Sequence, residues 1–204
     1  KPEVPPRPAD ASAPAPAEIT TAREPSPAGA DGETAFQRAF DTGIEQLAGL
    51  LDEEPVDMDK VFRVVMRAAM QGFTAAEGLL FVRERSSLPY SARYGQGRLF
   101  DSIFRQPLVR ESDRTVCGVC LQRLEDVFIN DASDPKIVPH LPQWLKESRL
   151  AAFVLLPIHE GRRPFALLLA GWNERKNIGF TVTQIRQVRA MLKLVGTAHR
   201  LSAS

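Results

Sequence analysis

The sequence predicts an α+β fold: a central antiparallel sheet with helices on both faces. Three observations carry this. Residues 151–160, AAFVLLPIHE, and 163–173, RPFALLLAGWN, are strand-length apolar runs joined through the turn EGRR, a hairpin pattern. Both are apolar on both sides: alternation sends Phe153 and Leu155 one way, and Val154, Leu156 and Ile158 the other. An antiparallel pair usually leaves one face wet, so these strands are expected at the centre of the sheet, covered from both directions. Helical periodicity, finally, opens and closes the folded part.

The chain has two expected regions. Residues 1–33 read as a Pro/Ala-rich linker: KPEVPPRPADASAPAPAEITTAREPSPAGA has no recurring large apolar residue, so it cannot bury enough surface to offset the entropy of ordering. Its proline content makes it a stiff spacer, and a spacer in that place suggests a further domain before it; an ordinary disordered tail is the alternative. Residues 34–204 read as one domain.

The elements of that domain follow in order. Phe36, Phe40, Ile44, Leu47 and Leu51 make one apolar helical stripe, interrupted at Pro55. A second helix is expected from about Asp59, with Val61, Phe62, Val65, Met66 and Ala69 inward and Gly72 as its stop. GLLFVRER (78–85) and YSARYGQG (90–97) read as a hairpin, and LFDSIF (99–104) as a helical turn with Leu99, Ile103 and Phe104 apolar. A short helix from Thr115 to about Leu124 precedes the strand VFIN (127–130). The Pro-punctuated segment 131–148 is anchored by Trp144 and Leu145. After the central hairpin, Thr181 and Gln184 form a capping box that starts the last helix. Ile185, Val188, Leu192, Val195 and His199 make one stripe on it; Met191, Leu194, Ala198 and Leu201 make another. The band is wide enough for the sheet and a partner helix, or for a helix buried within its own domain.

Composition excludes several function classes. The chain of 204 residues is formally +1, without the basic excess of a nucleic-acid surface. No apolar run reaches membrane-spanning length, and no signal-peptide pattern is present, so a cytoplasmic site is expected. No nucleophile elbow, P-loop or dinucleotide fingerprint appears, and no catalytic residue is assigned.

Cys117 and Cys120 stand in a C-x-x-C spacing within TVCGVCLQRLEDVFIND. Structural zinc wants about four ligands, yet His140, His159 and His199 are dispersed, so no metal is expected. A thioredoxin-type pair would open a helix after a strand in a βαβ unit, whereas these cysteines are flanked by Val116, Val119 and Leu121. At i and i+3 they share a helix face, as small apolar residues of a pocket or core; a thiol that senses oxidants or attaches a ligand is the alternative.

The order helix–helix, hairpin, small helix, strand, irregular segment, hairpin, helix resembles a GAF domain. LDEEPVDMDKVFRVVMRAAMQGFTAAEGLLFV resembles that family's opening helix and first strand. TVCGVCLQRLEDVFINDASD resembles its small helix and following strand, with Asp131 at the usual acidic position. LAAFVLLPIHEGRRPFALLLAGWNERKNIGFTVTQIRQVRAML resembles its closing hairpin and last helix. A narrower resemblance, LLLAGW with a Pro/Ala spacer upstream, is to modules at the C-terminus of bacterial HDOD signalling proteins.

The resemblance implies a non-enzymatic sensory or regulatory module that binds a small molecule or partner, signals to an attached domain, and dimerises through its first and last helices. Its rival is a ligand-free dimerisation or interaction module with a filled pocket. The pocket implied would lie between the sheet's far face and segment 131–148, lined by Tyr94, Cys117, Cys120, Phe128, Asn130, Trp144 and Trp172. Trp144 would cap a ligand or plug the hollow itself. No cofactor is implied. Asn173, Lys176 and Phe180 match part of the cyclic-nucleotide signature of the family, but Gln184 and Ile185 replace its acidic pair, so that ligand is not expected. The Cys-His pair typical of bilin attachment is absent, and the cysteines are placed differently from those of methionine-sulfoxide reductases of this type.

Overall fold

The computed structural model describes residues 30–102 and 107–203. Residues 1–29 of the expected linker, and Ile103 and Phe104, lie outside them. The first helix, α1 (Ala30–Leu51), begins ahead of the boundary expected at 34. It buries Phe36, Phe40 and Leu47.

The second helix, α2 (Met58–Phe73), is capped by Asp57, whose Oδ1 accepts from the backbone N–H of Asp59 and Lys60 at 2.9 and 3.2 Å. The helix runs through Gly72, the expected stop, and ends at Thr74 in the left-handed conformation, φ 50°. Gly72 serves packing instead: a Cβ there would lie 2.4 Å from the Phe40 ring, so the glycine lets α1 close onto α2.

Six strands form one antiparallel sheet among the described residues, in the order β3–β2–β1–β6–β5–β4. They are β1 (Glu77–Val82), β2 (Tyr90–Gln96), β3 (Leu108–Val109), β4 (Val127–Ile129), β5 (Ala152–Glu160) and β6 (Arg163–Trp172). The apolar hairpin β5–β6 is central, as its two-sided pattern requires. β3 was not expected; two residues carry no period.

The sheet separates two half-cores. On the near side α1, α2 and the last helix, α6 (Val182–Ser202), cover Leu80, Val154, Leu156, Ile158, Leu168 and Ala170. On the far side lie Leu79, Phe81, Phe153, Leu155, Leu167 and Leu169. They are covered from α4 (Val116–Arg123) and from the segment that carries α5 (Gln143–Lys146). A short helix, α3 (Arg98–Ser102), follows β2. Phe153 and Leu155 thus face opposite to Val154, Leu156 and Ile158, as alternation dictates.

The capping box of α6 forms in both directions: Gln184 N–H donates to Thr181 Oγ1 at 3.2 Å, and Thr181 N–H to Gln184 Oε1 at 2.9 Å. The helix spends most of its apolar band inside the chain, with Val188, Met191, Leu192, Val195 and Ala198 buried. His199 stacks on Phe165, ring centroids 3.9 Å apart. Ile185 and Leu201 stay exposed.

Candidate functional site

The far side of the sheet is where a ligand site was expected, and α4 is its roof. Thr115 caps α4, its Oγ1 accepting from Gly118 N–H at 3.3 Å. Gly118 is needed for contact with the preceding loop: a Cβ there would lie 2.0 Å from the Asp113 carbonyl oxygen. That loop is itself anchored. Glu111 accepts from Arg83 Nη1 at 2.6 Å and from the Tyr90 hydroxyl at 2.8 Å, and Arg83 and Tyr90 both also donate to the Pro164 carbonyl. Burial, then the bond to Glu111, pushes the Tyr90 hydroxyl pKa up, so it stays a donor.

Cys117 and Cys120 are fully buried on the inner face of α4, and both are free thiols. Cys120 Sγ donates to the Glu125 carbonyl at 3.2 Å. Burial, with a smaller contribution from Asp113, raises the Cys117 pKa from 9.0 to about 12. Burial also raises Cys120, with Cys117 and Asp126 adding to it and Arg189 opposing. Metal ligation and nucleophilic attack both need the thiolate, which this environment disfavours. Among the described residues no group of three or more His, Cys, Asp or Glu is placed to hold a metal ion.

Trp144, on α5, packs against Phe81 with ring centroids 5.4 Å apart. Its Nε1–H is buried and has no acceptor among the described residues. Such groups are rare in folded proteins, where nearly every buried donor finds a partner. The half-core it packs against is apolar, with Leu121, Leu141, Leu145 and Phe153 all buried.

Only three of the seven expected pocket residues therefore share this side: Cys117, Cys120 and Trp144. Tyr94 lies on the near side, its ring 5.5 Å from Phe62 and its hydroxyl bonded to Asp59. A bulge is the cause. Leu80 pairs with Tyr94 but Phe81 pairs with Ala92, so one extra residue turns the second half of β2 over. Trp172 shares the parity of Leu168 and Ala170 and also faces the near side, where Nε1 donates to the Thr74 carbonyl at 3.0 Å and Lys176 sits 4.6 Å over the ring. Phe128 stands opposite Val154 and meets Phe180 edge-on at 5.7 Å. The crevice beside it, bounded by Phe73, Ile185 and Val188, holds about 10 Å³, no more than a water molecule needs. Asn130 is exposed at the end of β4 and binds backbone, accepting from Ile178 N–H at 2.9 Å.

Sequence reasoning missed a half-buried pair near the same edge. Asp126 Oδ1 accepts from Arg189 Nη2 at 2.5 Å, which ties α6 to the turn before β4. Burial raises the Asp126 pKa against the pull of Arg189. No local motif announces it, because the partners are far apart in the chain.

These elements define an α+β domain whose sheet is covered by three long helices on one side and short helices and loops on the other. The sequence profile of the GAF domain matches residues 55–198, and the chain belongs to that family. Solved structures share the fold. The GAF domain from the Acinetobacter phosphoenolpyruvate-protein phosphotransferase superposes with a TM-score of 0.60 at 13% identity, covering 80% of this chain and 94% of that one. Free methionine-R-sulfoxide reductase from Neisseria meningitidis, in complex with its substrate, gives 0.63 at 15% identity, covering 85% and 93%. The GAF domain/HD domain protein from Geobacter sulfurreducens gives 0.58 at 14% identity, covering 74% and 95%. No curated protein matches the sequence. GAF domains are generally regulatory, and several structures of this fold come from signalling proteins, a sensor histidine kinase and a chemotaxis protein among them. Among the described residues no helix is long and apolar enough to cross a membrane.

Proposed function

We propose that this chain is a non-catalytic regulatory module that takes a small molecule on the far side of the sheet, under Trp144, and signals to an attached domain as a pair of copies. The buried Trp144 Nε1–H carries the reading, because an unpaired donor in an apolar wall favours a ligand that presents an acceptor. Burial of both cysteines supports a regulatory rather than a catalytic role. The mechanism is a population shift: the ligand favours one packing of α4 and α5 on the sheet, and the sheet biases α1, α2 and α6 behind it.

A second reading has its own observation. Cys117, Cys120, Leu145 and Phe153 are all essentially fully buried, which favours a filled hollow and a domain that acts through protein contacts alone.

Native mass spectrometry with a denatured control separates the two. A releasable adduct that Trp144→Phe removes, with the fold intact by circular dichroism, supports the ligand reading and weighs the ligand. A clean mass in both forms, with no thermal stabilisation by metabolite mixtures, leaves the interaction module.

A further inference from the structure

We propose that residues 17–24, AEITTARE, add to the open edge of β4 as a further strand, with Ile19 seated on the apolar patch that β4 and α6 leave exposed. The proposal goes beyond the function proposed above and does not depend on it.

β4 ends the sheet, and β5 is its one neighbouring strand among the described residues. Past its end the Asn130 carbonyl takes the Lys176 N–H, but among the described residues no other segment bonds the backbone of Val127–Ile129. Such an edge presents a row of unpaired N–H and C=O groups, and an extended segment can complete it. Beside it Phe128 and Ile185 are exposed, and exposed Val182, three residues before Ile185, continues the patch along α6. The crevice between Phe128 and Ile185 is too small for a ligand, so the patch is a surface to cover rather than a pocket to fill.

The occupant follows from the chain itself. Proline has no N–H to give a ladder, so only proline-free stretches of residues 1–29 can pair along an edge. The longest is 17–24, with Pro16 before it and Pro25 after it, and it has the length of a strand. It carries Ile19, which with Val4 makes up the large apolar residues of 1–29, in the β-branched run Ile19, Thr20, Thr21. Glu18 beside it is opposite in sign to Arg186, which is exposed one turn after Val182 on α6 and has no partner among the described residues.

Position favours this segment over a separate molecule. The Phe36 ring of α1 lies 5.8 Å from Phe180, and Phe180 lies 5.7 Å from Phe128. α1 begins at Ala30, about 9 Å further along its axis from Phe36. The stretch from Ile19 to Ala30 reaches up to about 36 Å when extended, ample for that path. A tether of this length holds the segment at roughly millimolar local concentration, so an association too weak to join two free molecules still covers the edge.

Hydrogen exchange on the full chain at millisecond to second labelling times tests this. It compares the backbone amides of 17–24 with those of 9–13, in the wild type and in Ile19→Asp and Ile185→Asp, with circular dichroism as the check on fold. The expected result is exchange in 17–24 slowed about three-fold or more against unstructured peptide rates, no slowing in 9–13, and loss of the difference in either variant. Ile19→Asp leaves every described residue unchanged, so a loss there is not a defect of the folded domain. If Ile185→Asp disturbs the fold, Val182→Asp, at a more exposed position of the same patch, takes its place. Unslowed exchange throughout 17–24 in the wild type overturns the proposal. Slowing that survives the α6 variant overturns this site, and slowing that survives Ile19→Asp overturns its anchor. Slowing that fades on dilution shows a segment supplied by a second copy and overturns the tethered arrangement.

Discussion

Asn130 holds Ile178 in place across the end of the sheet, its Oδ1 accepting the Ile178 backbone N–H at 2.9 Å while its own carbonyl accepts from Lys176 at 3.3 Å. Next to it, Asp131 pairs with Arg175 at 3.1 Å. The loop after β6 is thus pinned to the end of β4. It leads directly to Phe180, which packs against Phe36 of α1 at 5.8 Å and Phe73 of α2 at 5.1 Å.

Removing the Asn130 acceptor is expected to cost about 1 kcal/mol, the net worth of one such hydrogen bond. Asn130→Ala should lower the urea midpoint accordingly, and Asn130→Asp, which keeps the acceptor, should recover most of it. Equal losses in the two variants would show that the amide group matters for another reason.

Two glycine substitutions should differ in sign. Gly118→Ala places a Cβ 2.0 Å from a backbone oxygen, which cannot swing aside as a side chain could, and is expected to cost about 1–3 kcal/mol. Gly49→Ala meets open space on a helix and should gain up to about 1 kcal/mol through lost freedom in the unfolded chain. Thermal unfolding at low protein concentration reads both.

The thiols predict an alkaline limit. The folded Cys117 pKa, about 12, lies above its ordinary 9.0, so the unfolded chain loses this proton first as pH rises. The thiol's contribution is complete below pH 9.0 and is lost progressively between there and about 12, with a slope of about 1.4 kcal/mol per pH unit. Cys120 is raised in the same direction. Replacing both cysteines by alanine should therefore flatten the decline of stability above pH 9.0, while Tyr90 and Tyr94, also raised, keep a residual slope. An unchanged decline in the double variant would refute the assignment to the thiols. The same burial should leave native Cys117 and Cys120 almost unreactive to iodoacetamide at neutral pH.

The fold was legible where the signal is local and repeated. The two-sided strands 151–160 and 163–173, the stripe from Phe36 to Leu51 and the Thr181–Gln184 capping box each fix an element without outside help. Gly72 misled because a glycine near a helix end signals a stop by default, whereas here it answers the Phe40 ring of another helix. The side of the sheet on which each expected pocket residue lies was legible only in part. Cys117, Cys120 and Trp144 shared a side as expected, but which side a strand residue faces depends on parity counted from a fixed point. Nothing in the letters YSARYGQ places the bulge that turns Tyr94 over, and nothing in LLLAGW says which half-core Trp172 joins. Asp126 and Arg189 stayed hidden because tertiary structure alone brings them together.

The bulge in β2 has a consequence for how the sheet keeps its alignment. Before it, Tyr90 is anchored in the far half-core; after it, Tyr94 is anchored in the near one. Sliding β2 by one residue along β1 would pull both tyrosines out of their seats together, on opposite sides of the sheet. An ordinary strand has one row of teeth against one rack. This one is geared into two racks, and that locks the alignment of the sheet beside β3, whose two residues can contribute little grip of their own.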